Sequence, residues 1–160
     1  MIDGTIVRAH RHAAGARGGQ ESQALGRSCG GFSSKTHAKV DALERPLNMI
    51  ITTGHMSDIG QATALVKQDY CRFLIADRGY DCDNFRITLC TQGIAPIIPG
   101  RKNRTEIVLY NRDIYKERNV IERFFARIKE FRRIATRYDK TVTMFRGALI
   151  IASILIWIKV

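Results

Sequence analysis

The sequence predicts an α/β fold, a mixed sheet with helices on its faces. Three segments of strand character open the chain, apolar strands and helical segments then alternate, and two long helical patterns close it. Early strands followed by βαβ alternation favour a mixed sheet over a purely antiparallel one. No internal repeat interrupts this order, and no segment has the character of an interdomain linker. The 160 residues are therefore expected to form a single domain.

Residues 2–9, "IDGTIVRA", read as a short strand with Asp3 near its start. Residues 13–33 are rich in Gly, Ser, Ala and Arg, the composition of either a mobile loop able to approach phosphate or a disordered linker. "KTHAKVDAL" (35–43) and "LNMIITTG" (47–54), joined by the turn "ERP", predict a hairpin. "SDIGQATALVKQ" (57–68) predicts a helix with Ser57 as N-cap and Asp58 in its first turn. "CRFLIADRGYD" (71–81) is an apolar strand ending at Asp77 and followed by a glycine turn. A helix over 83–92 is closed by Gly93, and "IAPIIP" (94–99) forms another strand. A basic connector over 99–109 leads to helices over 112–137 and 141–158.

Charge narrows the function. Twenty-six Lys and Arg against fifteen Asp and Glu leave a net +11, which calls for a polyanionic partner, nucleic acid or an anionic membrane surface. The apolar run "GALIIASILIWI" spans only residues 147–158. A bilayer needs about 20 apolar residues, so a core helix is expected there. No charged leader followed by an apolar segment opens the chain, and a cytoplasmic location is expected. Cys29, Cys71, Cys82 and Cys90 form no CxxC pair, have no zinc spacing, and are expected to be free thiols. His10 and His12 fall on one side of the first strand or its extension, without a third metal ligand nearby.

The most informative stretch is "YKERNVIERFFARIKEFRR" (115–133). On a continuous helix Tyr115, Arg118, Glu122 and Lys129 fall within an arc of about 60°. Ile114, Ile121, Phe124, Phe125, Ile128 and Phe131 occupy mostly the opposite and flanking sides. Arg118 and Glu122 alone would be an ordinary i,i+4 ion pair on a solvated face. Asp77, at the carboxyl end of an apolar strand, and Asp3, beside Gly4, offer further carboxylates on separate elements. Three such groups converging at one sheet end would suit Mg²⁺, a hard cation needing oxygen ligands and open positions. Two ions about 4 Å apart would serve an in-line displacement at phosphorus. A lone glutamate among DNA-binding cations is tolerable when a divalent cation lies between it and the phosphate.

Tyr115, Arg118, Glu122 and Lys129 also match the Y-(2)-R-(3)-E-(6)-K signature. With "IDGTIVRAH", "ADRGYD" and "ERFFARIKEFRRIATRYDKT", the chain resembles the DDE transposases of bacterial insertion sequences. It looks like the C-terminal catalytic part of the IS-four/IS-five superfamily, IS-five-like branch. The resemblance implies an RNase H-like fold, its first strand cut short, and no N-terminal region for recognising element ends. It implies a Mg²⁺-dependent polynucleotidyl transferase, with Mn²⁺ able to substitute. Asp3, Asp77 and Glu122 would bind two metal ions and catalyse cleavage and strand transfer. Tyr115, Arg118 and Lys129 would position DNA, with wider backbone contacts from Lys102, Arg104, Arg123, Arg127, Arg132 and Arg133. Implied partners are element ends and target DNA, a second copy, or a full-length or upstream-frame transposase product, at the bacterial nucleoid. Two other readings share these features: a non-catalytic DNA-binding fragment acting as an inhibitor or remnant, and a plain nuclease.

Overall fold

The computed structural model describes residues 1–28, 30–67 and 71–158. Cys29, and Gln68 at the end of the expected 57–68 helix, lie outside the described residues. Strand β1 (Ile2–Ala9) pairs antiparallel with β3 (Gly31–Val40), setting Asp3 opposite Ala38 and Gly4 opposite His37. β3 also pairs antiparallel with β4 (Pro46–Thr53) along its length and with β2 (Gly26–Ser28) at its start. A two-residue strand, β7 (Thr136–Arg137), joins β1 in parallel at Arg8 and Ala9, which makes this sheet mixed. β5 (Phe73–Ile75) and β6 (Ala95–Ile97) pair in parallel as a separate two-stranded sheet rather than extending the first.

Because strand side chains alternate, β1 feeds two cores. Val7, with Ala38 and Val40 of β3, packs against one layer of helices. Its centre is α5 (Asn119–Ile128), through Ile121, Phe124, Phe125 and Ile128. α6 (Arg132–Ala135) and α7 (Val142–Ile158) complete the layer, α7 through Phe145, Leu149, Ala152 and Ile156. On the other face Ile2 meets α2 (Ile59–Leu65), α3 (Asp83–Thr91) and β5. Leu65, Leu74, Phe85 and Leu89 fill that second core. Gly93, at φ +74°, closes α3 in the left-handed conformation that glycine adopts without penalty. A mixed sheet flanked by helices, the predicted α/β class, is the RNase H-like arrangement.

Two expectations need correction. Residues 13–33 are neither an extended mobile loop nor a linker: around Cys29 the described residues form a 3₁₀ turn (Arg11–Ala14), α1 (Gly19–Ser22), β2 and the start of β3. Ala13, Ala24 and Leu25 are buried among the glycines and serines. Gln23 Oε1 accepts a hydrogen bond from the Val142 amide at 2.9 Å, tying the segment to the start of α7. The single helix expected over 112–137 is three helices: α4 (Arg112–Lys116), α5 and α6. Between α4 and α5 the amides of Arg118, Val120 and Ile121 bond carbonyls three residues back, a local 3₁₀ tightening. At Phe131 the backbone is extended (φ −73°, ψ 106°), and the chain turns so that Ile134 is buried and Thr136–Arg137 pairs with β1. Strand pairing and burial override the local helical pattern. His10 and His12 likewise leave the strand: His12 sits in the 3₁₀ turn, and His10 stacks on Tyr138 at 5.0 Å.

α7 covers the core with one face and leaves Ile150, Ile151, Ile154 and Leu155 exposed on the other. Its indole Nε1 at Trp157 donates to the Pro46 carbonyl at 2.9 Å. Among the described residues no helix is long and apolar enough to cross a membrane.

A buried cation locks the sheet to its surroundings. Arg137 is 0% exposed; its guanidinium donates to Ser34 Oγ (2.6 Å), to the Asp139 carbonyl (3.0 Å) and to the Ala24 carbonyl (3.3 Å). Replacing it strands several buried acceptors. Arg137→Met is expected to lower unfolding free energy by about 3 kcal/mol or more in urea titrations. Arg137→Lys is expected not to restore it, since one ammonium cannot reproduce the planar fork.

Candidate active site

Asp3 lies on the α5 side of β1, the face shared with Thr5 and Val7. Its Oδ1 accepts from the Gly4 amide at 2.8 Å, and its Oδ2 receives Arg118 Nη1 at 3.2 Å. The other terminal nitrogen of the same guanidinium, Nη2, bonds Glu122 Oε1. One arginine thus joins two carboxylates from positions far apart in the chain. Asp77 follows β5, where it caps a 3₁₀ turn (Arg78–Tyr80): its Oδ1 accepts from the Gly79 amide at 2.8 Å.

Asp3 and Asp77 sense each other. Burial pushes the Asp3 carboxyl up to about 6, with Asp77 and Asp58 adding to the rise, while the Gly4 amide and Arg118 oppose it. A half-buried carboxylate facing like charges has a standing affinity for a cation. Arg118 meets that need here. Among the described residues no three His, Cys, Asp or Glu side chains are arranged to hold a metal ion together. The acid oxygens of Asp3 and Glu122 that meet at Arg118 are nonetheless donors of the kind a hard divalent cation prefers.

The expected DNA-positioning residues lie around these carboxylates, although not on one helix. Tyr115 is in α4, Arg118 in the tight turn before α5, Glu122 in its first turn, and Lys129 just beyond its end. Tyr115, edge-on to Tyr110 at 5.5 Å, is raised by burial and by Asp77, against Arg118. Lys129 Nζ donates to Thr5 Oγ1 at 2.6 Å and to the Ile6 carbonyl at 3.4 Å, running alongside β1 from Asp3; burial holds its ammonium below the usual range. Arg104 Nε binds the buried Asp81 at 3.0 Å, Arg123 and Arg127 reach Glu44 at 2.5 and 3.4 Å, and Arg133 binds Asp139. Lys102 and Arg132 are exposed. Asp81 also accepts from the Arg101 amide at 2.8 Å, and Arg101 Nη2 donates to the Gly79 carbonyl at 3.0 Å, docking the basic connector against the Asp77 turn.

Sequence reasoning missed a polar cluster on the opposite face of β1. Gly4, His37 and Lys35 share that face by register. Asp58 does not cap α2 through its side chain, and the expected Ser57 cap is not formed; Asp58 occupies the N-cap position with its carboxylate turned toward Lys35 (2.7 Å) and His37 (3.2 Å). Burial raises the Asp58 carboxyl, but His37 and Lys35 outweigh it and hold it below the usual range. The His37 approach is a contact rather than an aligned hydrogen bond. A Cβ at residue 4 would stand 2.1 Å from Asp58 Oδ1, so only glycine admits this carboxylate against β1. The available signal was Lys35 and His37 at period two, facing otherwise apolar surroundings.

A candidate transposase for insertion sequence element IS6501 from Brucella ovis is 36% identical over 130 residues, 80% of this chain and all of that protein. A candidate transposase for insertion sequence element IS402 from Burkholderia cepacia is 33% identical over 119 residues, 67% of this chain and 54% of that protein. The chain thus spans about half of this second relative's length. No solved structure matches. The transposase DDE domain family matches residues 1–157, nearly the whole length, and the chain belongs to that family.

Proposed function

We propose that this chain carries out metal-dependent cleavage and strand transfer of DNA during insertion-sequence transposition. The observation that carries the reading is the single guanidinium of Arg118 joining Asp3 to Glu122, with Asp77 close enough to raise Asp3. Asp3, Asp77 and Glu122 would hold two Mg²⁺ ions, with Mn²⁺ as substitute. Bound there, the ions would supply activation of an attacking oxygen and charge stabilisation at the leaving one. Arg118 also serves the substrate. When phosphate arrives it passes from the carboxylates to the DNA, exchanging one anionic partner for another. Lys129 and Tyr115 flank the same centre, and Lys129 trades its neutral partners on β1 for a phosphate oxygen. The net +11 steers the polyanion toward a centre that would otherwise repel it.

Two outcomes are expected. Asp77→Asn and Glu122→Gln each lower Mg²⁺- or Mn²⁺-dependent cleavage of element-end DNA by about a hundredfold, from loss of roughly 3 kcal/mol of charge stabilisation. Salt-dependent DNA binding persists in both variants. Cleavage indifferent to both changes contradicts the assignment, and failure to join a 3′ end to target DNA reduces the activity to that of a nuclease. The second outcome concerns pH. The folded Asp3 carboxyl, raised from 3.8 to about 6, holds its proton more tightly than the unfolded chain. The stability it contributes is complete below pH 3.8 and is lost as pH rises through about 6. Asp3→Asn is therefore expected to stabilise the chelator-treated protein at pH 7–8 by about 1–2 kcal/mol in urea titrations. Its advantage should vanish at pH 4.

A further inference from the structure

Asp77 stands one residue beyond Ala76, whose amide donates to the Ile97 carbonyl of β6 at 3.3 Å. β5 and β6 form a two-stranded sheet apart from the one that holds Asp3, so strand pairing does not fix Asp77 relative to β1. The turn after β5 has to hold it. Asp77 Oδ1 accepts from the Gly79 amide at 2.8 Å, and the Tyr80 amide donates to the Asp77 carbonyl at 3.1 Å. Arg78 and Gly79 are exposed, and a single 3₁₀ turn open to water is weak by itself.

The basic connector grips this turn from outside. The Arg101 guanidinium donates to the Arg78 carbonyl from Nε at 3.4 Å and to the Gly79 carbonyl from Nη2 at 3.0 Å. The Arg78 carbonyl and the Gly79 amide are the two ends of one peptide unit. Asp77 holds that unit by its N–H, and Arg101 holds it by its C=O. A rigid plane therefore links the carboxylate to the guanidinium, and a cation at the carbonyl makes the opposite N–H a stronger donor. Arg101 is itself anchored. Its amide donates to Asp81 Oδ2 at 2.8 Å, and that buried carboxylate also takes Arg86 Nε at 2.8 Å and Arg104 Nε at 3.0 Å. Arg86 Nη2 continues to the Ile98 carbonyl at 2.7 Å. Asp81 thus pins the backbone of the connector and leaves the Arg101 side chain to serve the turn.

We propose that Arg101 is a positioning residue for Asp77: it fixes the Arg78–Gly79 peptide, and through that peptide it sets the Asp77 carboxylate for a divalent cation. With Oδ1 tethered to the Gly79 amide, Oδ2 is the oxygen left for the ion. The connector then contributes to the centre by geometry, apart from any charge it offers to DNA. The ion rests on the metal-binding role proposed above for Asp77; the hold on the turn does not.

Arg101→Ala tests it, because the guanidinium is removed while the amide that Asp81 holds remains. Hydrogen exchange at the amides of Gly79, Tyr80 and Asp81 would be followed by NMR, without metal or DNA. Loss of a charge-assisted hydrogen bond is expected to speed exchange at these amides by about tenfold. Mn²⁺ binding would be followed by calorimetry and by the electron paramagnetic resonance of free Mn²⁺, without turnover. Outer-shell partners are typically worth about 10–100-fold in metal affinity, so Arg101→Ala is expected to weaken Mn²⁺ at least about tenfold. In an Asp77→Asn background it is expected to add little, since both changes act through one carboxylate. Unaltered exchange in the turn, or faster exchange confined to the connector, overturns the proposal. So does an equal loss of Mn²⁺ affinity in both backgrounds, or a loosened turn with parental Mn²⁺ affinity. A loosened turn in Arg101→Ala, beside a parent chain that binds no Mn²⁺, supports the hold on the turn and overturns the metal reading instead.

Discussion

Repulsion among half-buried carboxylates is the constraint around which this molecule is arranged. Asp3, Asp77 and Asp58 come from three elements and meet around one end of β1, where low solvent access makes like charges expensive. Each is compensated differently. Asp58 has Lys35 and His37; Asp77 has the amide of its own turn; Asp3 has Arg118 and remains the least satisfied, as its raised carboxyl shows. The fold tolerates this imbalance because two cores hold β1 from both faces. Strain of this kind is stored where chemistry is done and offset elsewhere.

Two populations stand out among the basic residues. Arg86, Arg104, Arg133 and Arg137 are committed to Asp81, Asp139, serine or backbone oxygens and serve the fold. Arg118 binds Asp3 and Glu122, and Lys129 bonds Thr5 and Ile6 on β1; both hold partners that a phosphate can replace. Net charge alone cannot separate these groups. Their neighbours do: an arginine fixed by a buried aspartate is a bolt, whereas one shared by two half-exposed acids is a latch.

Much of this was legible in the sequence. The strand character of residues 2–9 and the alternation in 35–43 anticipate β1 and β3, and Gly93 marks the end of α3 where φ turns positive. Tyr115, Arg118, Glu122 and Lys129 do not share the single helix expected of their spacing, which is broken twice. That break was not legible because it answers to a distant partner: Thr136–Arg137 pairs with β1, which local periodicity cannot report. Residues 13–33 misled for the same reason, since Arg137 and Gln23 order a segment whose composition favours disorder. Asp58 reads as an acid in the first turn of α2, and only the third dimension reveals that Gly4 leaves space for it.

The pairing of β1 with β3 sets Asp3 and Gly4 on opposite faces of a single strand. Adjacent codons therefore address separate compartments of the molecule, one toward Arg118 and Glu122, the other toward Asp58. Gain or loss of one amino acid between Gly4 and Val7 would slide the strand by a half-pleat. The acid would then be driven into the lysine–histidine side, and the vacant glycine would be presented to the helix carrying Glu122. A copy with such an indel would still carry Asp3, Asp77, Glu122 and the Tyr115–Lys129 spacing, so a check of those residues alone would overlook the displaced acid.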